Sequence, residues 1–135
     1  MKFSQDLTAG GYAIHGYSDG EIIVALPASE ANSENRGRKH LTHSFVITRE
    51  TLVEDWPPEK LDELEADHFE QVAALEPEVV IFGTGASLRF PRPEISAVFA
   101  ERGVGLEIMD SRAACRTYNI LAAEGRRVAA ALLIP

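Results

Sequence analysis

Three short apolar stretches in the second half of the chain decide the predicted fold: VVIF at 79–82, GLEIM at 105–109 and VAAALLI at 128–134. Continuous apolar runs of this length are typical of strands that are buried on both faces of a sheet. A helix-length segment separates each strand from the next, so this half follows a β-α-β-α-β order. Right-handed crossovers normally join such strands in parallel and cover the sheet with helices.

The two connecting segments carry helix-end signals. Residues 93–102 begin with proline, which suits the first helical position, and Gly103 follows as a C-terminal cap. Residues 110–124 begin with Asp110 or Ser111 as the N-cap, and a glycine follows this segment too. Two helices are therefore predicted here.

The first half predicts an antiparallel meander of three strands at 10–17, 21–26 and 41–48. The Ser-Asp-Gly sequence at 18–20 predicts a tight hairpin turn between the first two strands. Residues 28–40 are polar and lack a period, which indicates an exposed loop before the third strand.

An acidic amphipathic helix is predicted between the proline pair at 57–58 and Glu76-Pro77. Its apolar positions fall at three- and four-residue steps, at Leu61, Leu64, His68, Val72 and Leu75. Residues 54–78 contain ten carboxylates and one lysine. Such a run is a solvated helix face or a docking face for a basic partner.

Together these elements predict the α/β class and a single domain over 1–135. It would have a mixed sheet with an N-terminal antiparallel meander and a C-terminal β-α-β-α-β unit flanked by helices. A chain of 135 residues and 14.8 kDa suits one such domain.

Charge and composition exclude several function classes. The net charge of −8 argues against broad binding to nucleic acid or to an anionic membrane. One cysteine excludes an internal disulfide, and no apolar run approaches the roughly 20 residues that span a bilayer. The first seven residues carry neither a secretory nor a transit signal. We therefore expect a cytoplasmic protein that is a monomer or a small homo-oligomer.

The two halves differ in charge. Residues 1–78 hold 6 basic and 16 acidic side chains, whereas residues 79–135 hold 7 and 5, and every base there is arginine. Arginine is suited to bidentate recognition of carboxylates and phosphates. These arginines either pair within the molecule or bind an external anion.

The third predicted helix and its flanks carry a family resemblance. EIMDSRAACRTYNIL at 107–121 and EGRRVAAAL at 124–132 resemble the signature of one small-domain family. That family includes the mitochondrial NADH dehydrogenase (complex I) assembly factor 3, the adipogenesis-associated Mth-like domain protein and many uncharacterised bacterial proteins. VIFGTG at 80–85 is similar to its strand and Gly-Thr-Gly loop, and Gly16-Tyr17 and Trp56 to its N-terminal landmarks.

The resemblance implies a compact α/β domain with a mixed central sheet and brings no established catalytic activity. For the mitochondrial branch it implies a role in assembling a respiratory complex, and this chain shows no equivalent of that branch's targeting segment. It departs from the family at Ser111, where threonine is expected, and in the longer polar loop at 28–40. That loop could alter the choice of partner.

The first candidate binding feature is the Gly83-Thr84-Gly85 loop. It follows a buried strand, at the edge where open α/β sheets bind ligands. Glycines there allow backbone N–H groups to approach an anion, and Arg89 follows closely. Leu88 stands where a dinucleotide fingerprint needs its third glycine, so the alternative is a tight turn.

The second candidate feature is the start of the third helix. Cys115 lies near the positive end of the helix dipole and beside Arg112 and Arg116, which would lower the pKa of its thiol. Arg116 and Asn119 are spaced to hold one carboxylate or phosphate together. The alternative is that Cys115 packs as a small apolar residue while Arg116 pairs with a carboxylate such as Glu107 or Asp110.

No other constellation predicts chemistry. His40 and His43 would point to opposite faces of a strand, which disfavours a shared metal, and no cofactor is implied. Trp56 either caps the core or is an exposed contact residue. We therefore assign no catalytic residue and carry two hypotheses. The chain is a non-enzymatic interaction or assembly-type protein with an unidentified protein partner. Alternatively it binds an anion, or is a minor enzyme, at a pocket between Gly83–Gly85 and residues 112–119.

Overall fold

The computed structural model describes residues 10–135. The segment at 1–7, for which the sequence predicts no targeting signal, lies outside the described residues. Over 10–135 the chain forms strands and helices in this order: β1 (Ala13–Ser18), β2 (Glu21–Ala25), β3 (Arg38–Leu41), β4 (Phe45–Thr48), β5 (Leu52–Val53), α1 (Ala66–Ala73), β6 (Val79–Thr84), α2 (Pro93–Glu101), β7 (Gly105–Met109), α3 (Ser111–Ala123) and β8 (Val128–Leu133).

A small antiparallel sheet is built from β1, β2 and β3 in that order. The predicted hairpin turn is confirmed, because Ser18 pairs with Glu21 and Gly20 adopts a φ of +82° between them. Only glycine reaches that conformation without a steric cost. The meander therefore begins as the sequence predicts.

The prediction of one continuous strand over 41–48 is wrong, because this segment contributes to two different sheets. Leu41 ends β3 and pairs with Ile22, whereas Phe45 begins β4 and pairs with Leu132. Residues 42–44 carry the chain from one sheet to the other. The last part of the predicted 28–40 loop, from Arg38 onward, also joins β3, although its side chains are exposed as expected.

The larger sheet has five strands in the order β5-β4-β8-β6-β7. Strand β6 pairs in parallel with both β7 and β8, which confirms the parallel unit predicted from the apolar runs. The other half of this sheet is antiparallel, because β4 pairs in that sense with both β8 and β5. The sheet is therefore mixed, as predicted.

Alternation along the central strands divides the core into two layers. Ile81 of β6 faces α3 and the small sheet, whereas Phe82 faces α1 and α2. Strand β8 alternates in the same way, with Ala130 and Ala131 on opposite faces. Because both faces of β6 and β8 are covered, their apolar runs are continuous rather than alternating.

The acidic helix is shorter than predicted. A 3-10 turn occupies Leu61–Glu63, and α1 begins only at Ala66. Glu65 is extended, with a φ of −124°, and it forms a reciprocal capping box with His68. In that box the Glu65 N–H donates to His68 Nδ1 at 2.9 Å, so His68 caps the helix from the edge of the core.

Trp56 caps the core and is not an exposed contact residue. Its side chain is fully buried and its Nε1 donates a hydrogen bond to the His68 carbonyl at 3.2 Å. Its ring meets Phe82 edge-on, with a centroid separation of 6.2 Å. Trp56 thus fixes the segment before α1 against the central strand.

The other two helices end where the sequence predicts, within one or two residues. Pro93 is the first residue of α2, and Gly103 follows it with a φ of +69°. The Asp110 side chain caps α3 by accepting a hydrogen bond from the Ala113 N–H at 2.9 Å.

No helix within 10–135 has both the length and the apolar character needed to cross a membrane.

Candidate functional site

The Gly-Thr-Gly loop and the start of α3 meet at the carboxyl edge of the large sheet. The Ser111 N–H donates to the Gly85 carbonyl at 2.9 Å, and the Gly85 N–H donates to Ser111 Oγ at 2.8 Å. Ser111 Oγ in turn donates to the carbonyl of Leu133 at the end of β8. The structure therefore brings these two predicted features together.

The start of α3 packs closely against the end of β6 at Gly83. A Cβ atom built on Gly83 would lie 2.8 Å from Ser111 Oγ and 2.8 Å from the Leu132 side chain. Gly83 is thus required for close packing of the helix start on the strand end, and the Gly85 N–H is already occupied. Serine at 111, where the family resemblance predicts threonine, keeps the hydroxyl on which this contact depends.

Thr84 organises the loop that follows β6. Its hydroxyl donates to the Ser87 carbonyl at 2.7 Å and accepts from the Arg89 N–H at 3.2 Å. The side chain is buried. The predicted need for a positive φ is confirmed at Gly85, with a φ of +97°, whereas Gly83 lies within β6 and is explained by its close contact with Ser111.

Cys115 is a core residue whose thiol is protonated at neutral pH. Only 1% of it is exposed, and it packs in the layer between α3 and the large sheet. Burial raises the pKa of the thiol to about 12, although the charges of Arg116 and Arg112 act in the opposite direction. The predicted lowering of this pKa is therefore wrong, because desolvation outweighs the two nearby guanidinium groups.

Asn119 binds the backbone of the small sheet. Its Oδ1 accepts from the Ile14 N–H at 2.9 Å, and its Nδ2 donates to the Ile14 carbonyl at 2.8 Å. The side chain is 2% exposed, and these two bonds tie α3 to β1. Both ends of the amide are engaged within the protein.

The two arginines of α3 surround one tyrosine. Arg116 Nη1 donates to the Tyr17 hydroxyl at 2.7 Å, while the Arg112 guanidinium lies 5.9 Å from the centroid of the Tyr17 ring. Arg112 also pairs with Asp19 in the hairpin turn. The predicted pairing of Arg116 with Glu107 or Asp110 is thus replaced by a contact with the small sheet.

Arg89 lies away from this group. Its Nη2 pairs with Asp62 Oδ1 at 3.2 Å, on the face of the sheet opposite α3. Arg92 and Arg102 pair with Glu65 and Glu70 in the same acidic segment. These three arginines of the second half therefore recognise carboxylates within the molecule.

The histidines support no metal site in the described part of the chain. His40 pairs with Glu21 at 3.1 Å, and His43 contacts Glu59 at 2.9 Å from the segment between β3 and β4. Among residues 10–135 no group of three or more histidine, cysteine or carboxylate side chains could hold a metal ion.

One surface was missed by the sequence analysis: the loop from Leu88 to Arg92, between β6 and α2. Leu88 is 51% exposed and Phe90 69% exposed. A cavity of about 410 Å³ lies beside Phe90, with Ile95 and Leu61 among its lining residues. The sequence did contain a signal for this surface, because two large apolar residues stand two positions apart in a loop of arginine and proline.

Comparisons with known proteins find one matching family profile and several similar proteins. A sequence profile described as "Protein of unknown function (DUF498/DUF598)" matches residues 14–133. The mouse protein named NADH dehydrogenase [ubiquinone] 1 alpha subcomplex assembly factor 3 is 33% identical over 92 residues, which cover 67% of this chain and 49% of that protein. The chain thus matches about half the length of that relative.

A bacterial relative has a different kind of name. The "13 kDa major membrane protein" of Francisella tularensis is 32% identical over 94 residues, covering 67% of this chain and 75% of that protein.

Solved structures share the fold. A crystal structure from Bordetella parapertussis is 38% identical, with a TM-score of 0.77 over 92% of this chain and 96% of that one. A solution structure from Bordetella pertussis, described as a Mth938-like domain, is 30% identical, with a TM-score of 0.72 over 98% of this chain and 89% of that one.

Proposed function

The chain belongs to the family of unknown function DUF498/DUF598, and we propose that it binds other proteins in an assembly-type role rather than catalysing a reaction. The observation that carries this proposal is the 33% identity to the mouse assembly factor for NADH dehydrogenase. The finer proposal is that its partners are subunits of a respiratory complex.

The chemistry of the predicted pocket supports an interaction protein over an enzyme. The polar groups that would serve a ligand instead join elements of the fold: the Gly85 N–H binds Ser111, and the Asn119 amide binds Ile14. The thiol of Cys115 is buried and protonated, which disfavours its use as a nucleophile. The alternative hypothesis, an anion-binding protein or minor enzyme, would need these same groups to be free.

Affinity purification after gentle crosslinking tests the proposal. We expect the tagged chain, expressed in its own cells, to elute with one or more proteins in fixed stoichiometry. Deletion of its gene should lower the amount of assembled NADH dehydrogenase on native gels without lowering the amounts of its separate subunits. A lone monomer that carries a tightly bound small molecule in native mass spectrometry would contradict the proposal.

Melting temperature in the presence of anions tests the alternative hypothesis, anion binding. Phosphate and acetate should leave the melting temperature unchanged beyond the effect of matched chloride concentrations, because no free anion site is expected. A specific rise in melting temperature that is lost in Arg116→Gln would favour anion binding. Arg126→Gln provides the matched control, since Arg126 is also exposed and lies at the other end of α3, beyond its C-terminus.

A further inference from the structure

We propose that Leu88 and Phe90, here called the apolar tip, form the docking surface for a basic amphipathic helix of a partner protein. This inference rests on the proposed function, because it names the surface and the chemistry of the partner through which that function would operate. The tip lies between β6 and α2, on the side of the molecule that carries the acidic segment.

The exposure of the tip is unusual within the described chain. Between residues 10 and 135, Val53 and Ile120 are the other large hydrophobic residues classed as exposed, and each stands apart in sequence. Leu88 and Phe90 are two residues apart, so one short loop presents both. Aromatic side chains such as Phe90 are enriched in protein interfaces.

The tip is held in place rather than left loose. The Thr84 hydroxyl contacts the backbone of Ser87 and of Arg89, one residue before each tip residue. Pro91 is buried directly after Phe90. A loop fixed in this way loses little conformational entropy when it binds, so the exposed side chains are preorganised for contact.

A recess beside the tip can receive a side chain from the partner. The cavity of about 410 Å³ has buried Ile95 and partly buried Leu61 among its lining residues, and Phe90 forms part of its wall. Ion pairs join the two sides of the cavity, from Arg89 to Asp62 and from Arg92 to Glu65. An amphipathic helix would place its apolar stripe against Phe90 and Ile95 and its polar face beside these ion pairs.

The carboxylates that line the recess are paired with arginines, but the segments that flank it carry a net negative charge, which favours a basic partner. Residues 59–67 and 89–94 contain six acidic side chains and three basic ones. We call the carboxylates of these two segments the acidic rim. Like charges disfavour an anionic lipid surface and a second copy of this chain, whose net charge is −8. Lysine and arginine flanking an apolar stripe would complement both the tip and the rim.

Two synthetic peptides test the proposal by fluorescence anisotropy. Each is a helix of about 18 residues, or five turns, with a leucine stripe. The polar face is lysine in one peptide and glutamate in the other. We expect the lysine peptide to bind the full chain at least about tenfold more tightly than the glutamate peptide. Its affinity should also fall as salt rises from about 0.05 M to about 0.5 M.

The variant L88S/F90S should weaken binding of the lysine peptide at least about tenfold. Ile120→Ser is the matched control, because it removes an exposed apolar side chain of similar accessibility, 54%, from α3. Circular dichroism and melting temperature establish that each variant folds. Equal binding of the two peptides, or equal loss in both variants, would overturn the assignment.

Two outcomes distinguish failure of the proposed docking surface from failure of the proposed function. If L88S/F90S retains the cellular partner as well as the unchanged chain does, the docking surface is wrong and the interaction role stands. If the unchanged chain retains no partner, the proposed function fails whatever the peptides do. Phe90-dependent dimers in sedimentation, or Phe90-dependent binding to phosphatidylcholine vesicles, would replace the basic helix with a second copy or a membrane.

Discussion

The two hydrogen bonds between the Asn119 side chain and the Ile14 backbone should contribute strongly to stability, because both lie in the buried core. Asn119→Leu keeps a side chain of similar size but leaves the Ile14 N–H and carbonyl without the amide. Each unsatisfied buried group costs about 1–3 kcal/mol. Leucine recovers about 1–2 kcal/mol by burying more apolar surface. We expect a net loss of about 1–4 kcal/mol, a substantial part of the 5–15 kcal/mol typical of a domain.

Urea denaturation followed by circular dichroism measures this loss. Ala123→Leu is the matched control, since it places the same side chain on an exposed position of α3 and should change the free energy of unfolding by less than about 0.5 kcal/mol. Hydrogen exchange adds a local readout, because the Ile14 amide should lose protection in Asn119→Leu. A variant as stable as the unchanged chain, with the Ile14 amide still protected, would refute the reasoning.

Three further outcomes are expected. Gly83→Ala should lower the free energy of unfolding by about 1–3 kcal/mol in thermal denaturation, because its Cβ would collide with Ser111; an unchanged melting temperature would show that the helix start can move. Burial raises the pKa of the Cys115 thiol to about 12. We therefore expect Cys115 to react with iodoacetamide at pH 7 at least about 100-fold more slowly in the folded protein than in the unfolded protein. Equal reaction rates would show that the thiol is accessible in the folded protein. The pKa of Glu78 is lowered because its carboxylate accepts a hydrogen bond from the backbone N–H of Arg127. The ionised carboxylate therefore stabilises the fold at pH values above its ordinary pKa, and this stabilisation is lost as the pH falls through the pKa of Glu78 in the folded protein. Glu78→Gln should therefore destabilise the protein at pH 7 and lose most of that effect at pH values below the folded pKa of Glu78. A destabilisation that does not change with pH would contradict the linkage.

Local signals account for the part of the fold that was predicted. The hairpin at Asp19-Gly20, the proline that begins α2 and the Asp110 cap of α3 all act within a few residues of themselves. Their physical causes are a positive φ, a fixed φ and a side chain that reaches the third following N–H. Such causes are visible in the sequence.

The errors arose where local signals competed with distant contacts. The run at 41–48 has the period of one strand, but Leu41 pairs with β2 and Phe45 pairs with β8, more than 80 residues later. The apolar spacing from Leu61 to Leu75 suits one long helix, but the capping box at Glu65 begins α1 later. Periodicity cannot show where a partner strand or a cap interrupts a pattern.

The candidate site shows the same division. The sequence alone determined that the Gly-Thr-Gly loop and the start of α3 lie at one edge of the sheet, because parallel strands joined by right-handed helices place their carboxyl ends together. Only the tertiary structure decided that Ser111 packs against Gly83 at this edge and that Asn119 binds Ile14, 105 residues away. Chain order sets which ends meet, whereas side-chain volume and hydrogen-bond partners decide how closely those ends pack.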